Sequence, residues 1–343
     1  MSQDSGVSRY ECTAGELHGF VVAAMAAVGA SGPDASYMAD QLIDSELANH
    51  PSHGMRRLSE YVDRALQGFA QPGATASIEL DTGSLVRLNG NGTYGHFALR
   101  DGTALAIERA KANGIAAVAV RNSEYAGRLA PFCEEAANAG VATLVFGNNN
   151  GAGQVVLPPG GTQARLSTNP LAAGVPRRSA PHLVIDFATS AVASGRLAEE
   201  RDRGTELPAE WVSPEGLLKP FGGFKGFGLS LLVEALGGAL SGSQTVSGRK
   251  TADHQGTLLI AIDVAQLREL DGFTDQVEEF IAHVKSSPVQ DGGSPIRVPG
   301  EGSSPDTGDP QGRLVGVNAK TWAAMGRIAA ELRLHMPDAA PIR

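Results

Sequence analysis

An α/β fold, with a parallel or mixed sheet covered by helices, is what the middle of this chain predicts, and three observations carry it. From residue 83 onward, short β-branched runs alternate with Ala-rich stretches of helical length. Turns containing Gly or Pro punctuate the alternation. Hydrophobic residues make up 42% and charged residues 19% of the 343 positions, a balance that supports a buried core and excludes disorder as a description of the whole chain. At roughly 100 to 200 residues per domain, this length points to two lobes.

In chain order, residues 15–70 read as helices: Ser31-Gly-Pro-Asp is a helix start, and Met38, Leu42 and Leu47 follow at helical spacing. Gly68 and Gln71-Pro-Gly close that block. Strands are then expected at 84–88, 115–120 and 141–146, with helices at 95–112 and 127–139 between them. Residues 147–182 read as a long loop, a place where sites concentrate. A strand at 182–187, a helix from about 189, a Gly-rich turn at 222–226 and a helix to about 240 come next. A strand at 257–263 and helices at 274–285 and 319–334 complete the chain, with 287–312 as a surface loop rich in Ser, Gly, Pro and Asp.

A formal net charge of -9 with scattered Lys and Arg supplies no basic stripe for a phosphate backbone, so nucleic acid is not an expected partner. Cys12 and Cys133 are too few for a disulfide framework or a cysteine metal site, which fits a reducing compartment such as the cytoplasm. The first 15 residues do not read as a secretory signal, and the apolar stretch 20–30 is too short to span a bilayer. No metal motif, Walker loop or serine-hydrolase elbow is present, so metal catalysis and serine hydrolysis lose their footing.

The most informative segment is Ser52-His-Gly-Met-Arg-Arg-Leu-Ser-Glu-Tyr. If Ser52 caps a helix, His53 falls in its first turn, and Arg57 and Tyr61 lie four and eight residues further along one face. A helix amino terminus disfavours imidazolium, which would keep His53 neutral, and Arg57 would hold a carboxylate through two charge-assisted bonds. The same residues also fit a plain solvated helix face, and spacing alone leaves both readings open. Asp186 ends the apolar run Leu183-Val-Ile-Asp, where open α/β sheets place their sites, and is a candidate to orient His53. Lys225, inside Gly222-Gly-Phe-Lys-Gly-Phe-Gly, suits a cofactor phosphate or ribose, because glycines let backbone N–H groups approach an anion. Gly90-Asn-Gly-Thr-Tyr-Gly95 matches the dinucleotide glycine pattern formally, but no acidic residue ends a second strand about 20 residues on, so it is not read as one.

Taken in order, these phrases resemble the malate/L-lactate dehydrogenase family of non-Rossmann nicotinamide enzymes, which includes ureidoglycolate and sulfolactate dehydrogenases and reductases of cyclic imino acids. The matching pieces are Glu46-Leu-Ala-Asn-His-Pro-Ser-His-Gly-Met-Arg-Arg-Leu-Ser-Glu-Tyr, Lys111-Ala-Asn-Gly-Ile, Val120-Arg-Asn-Ser, Ser167-Thr-Asn-Pro-Leu-Ala, Ile185-Asp-Phe-Ala-Thr-Ser, Gly222-Gly-Phe-Lys-Gly-Phe-Gly-Leu and Val298-Pro-Gly-Glu. The resemblance implies a mixed sheet with surrounding helices. It also implies a discontinuous helical and substrate lobe (1–115 with 296–343), a cofactor lobe (116–295), NAD or NADP as cofactor, and a homodimer. His53, Asp186 and Tyr125 would be catalytic, with Ser52, Arg57 and Tyr61 binding substrate. Asn149 and its neighbours Asn148 and Asn150, with Asp186, Phe187, Ala188, Lys225 and Glu301, would meet the cofactor.

Two departures stand out. Where many relatives carry a histidine, Asn122-Ser-Glu-Tyr-Ala-Gly127 places Tyr125, and the stretch between Gly216 and Pro220 is shorter than in relatives. A phenol with an unperturbed pKa of about 10 is a poor base but a serviceable acid at neutral pH, which favours reduction. The expected activity is hydride transfer between nicotinamide and a small 2-oxo or 2-hydroxy acid. Reduction of a cyclic imino acid is the alternative, and a cofactor-binding partner without dehydrogenase activity is a further one.

Overall fold

The computed structural model describes residues 9–149, 153–202, 204–247, 254–290, 292–302 and 311–342. Asn150 and much of the Gly-rich run after it, the centre of the expected 287–312 loop and the first eight residues lie outside the described residues.

The chain divides into two compact units, residues 1–74 with 303–343 and residues 75–302. The first unit opens with β1 (Arg9–Thr13), α1 (Ala14–Ala27) and α2 (Gly32–Leu47). Thr13 starts α1 through a reciprocal cap: its hydroxyl accepts from the Glu16 N–H at 3.2 Å, and the Glu16 carboxylate accepts from the Thr13 N–H at 2.8 Å. Ser31 caps α2 as the sequence predicts, accepting from the Asp34 N–H at 3.3 Å with Pro33 in the first turn. Leu17, Phe20, Val21, Ala24 and Met25 of α1 are buried at helical spacing, as are Met38, Ala39, Leu42 and Ile43 of α2. Two short 3-10 turns, Pro51–His53 and Met55–Arg57, lead into α3 (Leu58–Leu66).

The second unit holds β2 (Ser77–Asp81), β3 (Leu85–Asn89), α4 (Gly95–Asn113), β4 (Ile115–Ser123), α5 (Ala130–Asn138), β5 (Val141–Asn148), β6 (Pro170–Val175), β7 (Leu183–Ala188), α6 (Ser194–Asp202), α7 (Phe224–Val233), β8 (Gln255–Asp263), α8 (Val264–Leu267) and α9 (Leu270–Lys285). Seven of these strands form one mixed sheet in the order β2-β3-β4-β8-β5-β6-β7, in which only the β3–β4 pairing, bridged by α4, is parallel. The chain then returns to the first unit as β9 (Leu314–Asn318), α10 (Ala319–Leu332) and β10 (Ala340–Ile342), which complete a three-stranded sheet, β10-β1-β9.

Side-chain alternation along β4 shows how the large sheet is buried. Val118 and Val120 point into a core with Ala98, Leu99 and Ala106 of α4 and Phe132 and Ala136 of α5, whereas Ala117 and Ala119 face Phe146, Leu258 and Val233 on the opposite side. The period-2 pattern therefore places α4 and α5 on one face and α7 on the other. The unit boundary at 74/75 differs from the expected 115 because β3 is hydrogen-bonded to β4, and α4 packs on the same sheet. The expected long loop 147–182 contains β6, which pairs antiparallel with β7 along all six residues and with β5 along four. Its Pro170-Leu-Ala-Ala-Gly-Val sequence has few β-branched residues, so tertiary pairing rather than propensity makes it a strand.

Candidate active site

In the first unit, the expected single helix face does not form. Ser52 and His53 belong to one 3-10 turn, Arg57 ends the next, and Tyr61 lies in α3, with Gly54 between the turns at φ -93°, ψ -138°, outside the helical region. Ser52 therefore caps no α-helix, and no α-helix amino terminus lies at His53 to disfavour its charged form. The Ser52 hydroxyl instead lies 3.0 Å from His53 Nδ1 and fixes the ring through that nitrogen. Glu46, part of the quoted motif but given no role from sequence, secures the second turn by accepting the Met55 N–H at 2.7 Å. Arg57 donates from Nε to the Ser52 carbonyl at 2.9 Å and from Nη1 to Glu60 at 2.7 Å, so the guanidinium is pinned over the turn that carries His53. Tyr61 is 1% exposed and packs into the core of its unit rather than standing on an open face.

In the second unit, the structure brings several predicted residues together around the end of β7. Asp186 Oδ2 accepts the backbone N–H groups of Leu129 at 2.7 Å and Ala130 at 2.9 Å, joining it to the segment that carries Tyr125. Asp186 is open to solvent but closely ringed by protein, and this crowding pushes its carboxyl above the ordinary value. The two N–H bonds and the nearby Arg128 charge oppose that push.

Asn149 donates from its side chain to Thr168 Oγ1 at 3.1 Å, and the Thr168 carbonyl accepts the Thr189 N–H at 2.8 Å, one residue past Ala188. Phe187 meets Phe221 edge-on at 5.4 Å, and the Phe221 N–H bonds the Thr189 carbonyl at 3.1 Å. Phe221 leads through Gly222 and Gly223, at φ +54° and +62°, into α7, whose amino terminus has no side-chain cap and whose first turn carries the exposed Lys225. Asn149, Phe187, Ala188 and Lys225 thus converge on one region at the amino terminus of α7, where the helix dipole and the lysine favour an anion.

Glu301 is placed differently. Its carboxylate accepts from Lys285 Nζ at 2.8 and 2.9 Å, from Arg177 at 3.4 Å and from the Val298 N–H at 3.1 Å, and the Lys285 bond above all holds it below the usual carboxylate range. Its charge is already matched inside the protein, so the expected cofactor contact has no free carboxylate to use.

Sequence reading missed two buried groups. Asn169, fully buried, donates to Glu234 at 2.7 Å and to Ser230 Oγ at 3.1 Å, while Glu234 also accepts the Val246 N–H at 3.0 Å. Glu234 opens a π-helical turn (Glu234–Leu240) at the end of α7, a distortion often found at functional sites. His96, 2% exposed, lies against the Tyr125 segment. The glycine pattern before it gave a signal, since a Cβ at Gly95 would run into the Glu124 carbonyl oxygen: these glycines serve close packing of α4 on the 122–126 segment.

The comparisons with known proteins agree with this fold. Residues 12–325 match the family described as malate/L-lactate dehydrogenase. The chain is 32% identical over 342 residues to hydroxycarboxylate dehydrogenase B of Escherichia coli (strain K12), covering 94% of each chain. It is 31% identical over 309 residues to the delta(1)-pyrroline-2-carboxylate reductase of Ancylobacter novellus, covering 83% of this chain and 88% of that one. Its structure superposes on malate dehydrogenase from Entamoeba histolytica with a TM-score of 0.88 at 25% identity, covering 96% of this chain and 100% of that one. With the ordered motifs, the mixed seven-stranded sheet and the match across nearly its whole length, this chain belongs to the malate/L-lactate dehydrogenase family of oxidoreductases.

Proposed function

We propose that the protein interconverts small 2-oxo and 2-hydroxy acids with NAD or NADP, with reduction the favoured direction. The observation that carries the cofactor reading is the convergence of Asn149, Phe187, Ala188 and the uncapped start of α7, with Lys225 in its first turn. This set fits a dinucleotide: a glycine-flanked helix amino terminus with its dipole and one exposed lysine suit a pyrophosphate. When bound, the nicotinamide supplies or accepts the hydride.

On the protein side, Arg57 grips the substrate carboxylate, sharing its guanidinium with Glu60. His53, held at Nδ1 by Ser52, handles the proton at Nε2, and Asp186 is the acidic residue of the catalytic set. Tyr125 polarises the substrate oxygen through a hydrogen bond from its phenolic O–H, which is intact at neutral pH, so the single proton that the reduction needs comes from His53. Reduction of a cyclic imino acid is the second reading, favoured by the likeness to a pyrroline-2-carboxylate reductase.

We place the protein in a reducing compartment, the cytoplasm, on the strength of two free, buried cysteines. Homodimer formation is supported by the outward face of α7 and the π-helical turn, where Phe224 is 76%, Leu231 47%, Leu232 42% and Leu240 62% exposed. The test of activity is NADH and NADPH oxidation by purified protein against pyruvate, oxaloacetate and piperideine-2-carboxylate, with Tyr125→His in parallel. Turnover of one of these acids by the natural protein is expected. Cofactor binding without turnover by either form would overturn the activity.

A further inference from the structure

We propose that His96 is a positioning residue for this reaction: it sets the segment 124–130, and through that segment both Tyr125 and Asp186. The proposal rests on the site reading above, in which those two residues act.

The segment is pinned at successive points. The Glu124 N–H donates to the Thr93 carbonyl at 2.8 Å, just before α4. His96, the second residue of α4, hydrogen-bonds the Tyr125 backbone from the buried side, so adjacent residues of the segment are held by the same helix start. The edge of the imidazole that bears Nε2 lies against Gly127, where any Cβ would collide with it and where the backbone takes φ +70°. The Glu124 carboxylate pairs with His254 Nδ1 at 3.3 Å beside the start of β8. Two residues past Gly127, the N–H of Leu129, then that of Ala130, reach Asp186 Oδ2.

Burial pushes the imidazole down to about 3, so it is neutral at any working pH and supplies a hydrogen bond without a charge to compensate. A leucine would fill comparable space but leave the backbone at Tyr125 without this buried partner. Tyr125 has to sit within hydrogen-bond reach of the reacting oxygen, and a shift of about 1 Å costs on the order of 100-fold in rate. Pinning its own peptide group is therefore a direct way to hold the phenol's origin fixed.

The experiment compares His96→Leu with His96→Gln, whose side-chain amide reaches the Nε2 position, in the full-length protein. Three quantities are read: kcat, KM for the cofactor and for the acid, and amide hydrogen exchange over residues 122–130. For His96→Leu, kcat is expected to fall about tenfold or more with cofactor KM within about twofold, and exchange over 124–130 to quicken. His96→Gln is expected to restore both kcat and exchange to within about threefold of the natural protein. Wild-type turnover and exchange in His96→Leu would overturn the proposal. So would equal impairment of the two variants with the fold intact. If His96→Leu does not fold, His96→Asn, whose shorter amide does not reach as far, takes its place against His96→Gln. If the natural protein turns over no acid, the activity reading has failed, and the exchange comparison alone decides whether His96 holds the segment.

Discussion

Asp186 accepts the backbone N–H of Leu129 at 2.7 Å, so a carboxylate near the end of β7 caps the start of α5, 57 residues earlier in the chain. Helix α5 has no capping side chain of its own, and Pro131 in its first turn has no N–H, which leaves Leu129 and Ala130 as the donors that Asp186 satisfies. The same contact fixes a charged group next to the Tyr125 segment. Under the proposed function, structure and chemistry share one side chain.

This dual use separates two substitutions. Asp186→Ala removes the cap and is expected to lower unfolding stability by about 1 kcal/mol, whereas Asp186→Asn keeps an acceptor oxygen and should stay within about 0.5 kcal/mol. Both should lose most turnover, because neither supplies a negative charge. Urea unfolding beside steady-state kinetics checks the pair, and an active Asp186→Asn would remove Asp186 from the proton chemistry.

Arg57→Lys keeps the charge but not the two-pronged geometry, and loses the Nε bond to Ser52. KM for the 2-oxo acid should rise about tenfold or more, a loss of roughly 1.4 kcal/mol or more in binding, with cofactor KM unchanged. Glu60→Gln should move acid KM downward, since it frees the guanidinium from a competing carboxylate. Unchanged acid KM in both variants would count against Arg57 as the clamp.

His53→Ala should lower kcat far more than it weakens cofactor binding, read by fluorescence titration of the reduced cofactor. Equal turnover would remove His53 from its assigned role.

Asn169→Ala leaves the buried Glu234 without its amide donor, and a buried polar group that loses its partner costs about 1–3 kcal/mol. Chemical denaturation should show that loss. Asn169→Ala together with Glu234→Leu should recover part of it, because no unsatisfied carboxylate then remains.

Acid stability should depend on Glu79. The hydrogen bond from Arg121 holds its carboxyl down to about 2 from an ordinary 4.5, so folding favours the ionised form. That contribution is present above the ordinary value and fades as pH falls toward the lowered one. Between about pH 5 and about pH 3, the urea midpoint of the natural protein should fall more than that of Glu79→Gln, by a modest margin because the pair is partly exposed. Parallel curves would show that the pair adds nothing.

Local chemistry made much of the fold legible. The cap at Ser31, the helix 95–112, and the strands at 115–120 and 257–263 are readable because each carries its own start, stop or periodicity within a few residues. Strands β1, β2, β6, β9 and β10 were not. β2 is an edge strand exposed along its length, its Ser-Ile-Glu-Leu-Asp alternation too short to stand out, and β6 lacks alternation because pairing on both sides holds it. The segment around His53 misled for a different reason. Spacing of four and eight implied one α-helix, whereas Gly54 and the bond from Met55 to Glu46 divide it into two 3-10 turns.

The sequence by itself determined the family and the mixed α/β class, because ordered motifs and hydrophobic periodicity are local properties of the chain. The tertiary structure decided what each side chain does: that Asp186 caps α5, that Glu301 is neutralised by Lys285, that Tyr61 is core, and that His96 underlies Tyr125. Hydrogen-bond partners and burial depend on residues tens of positions away, and no local pattern encodes that separation.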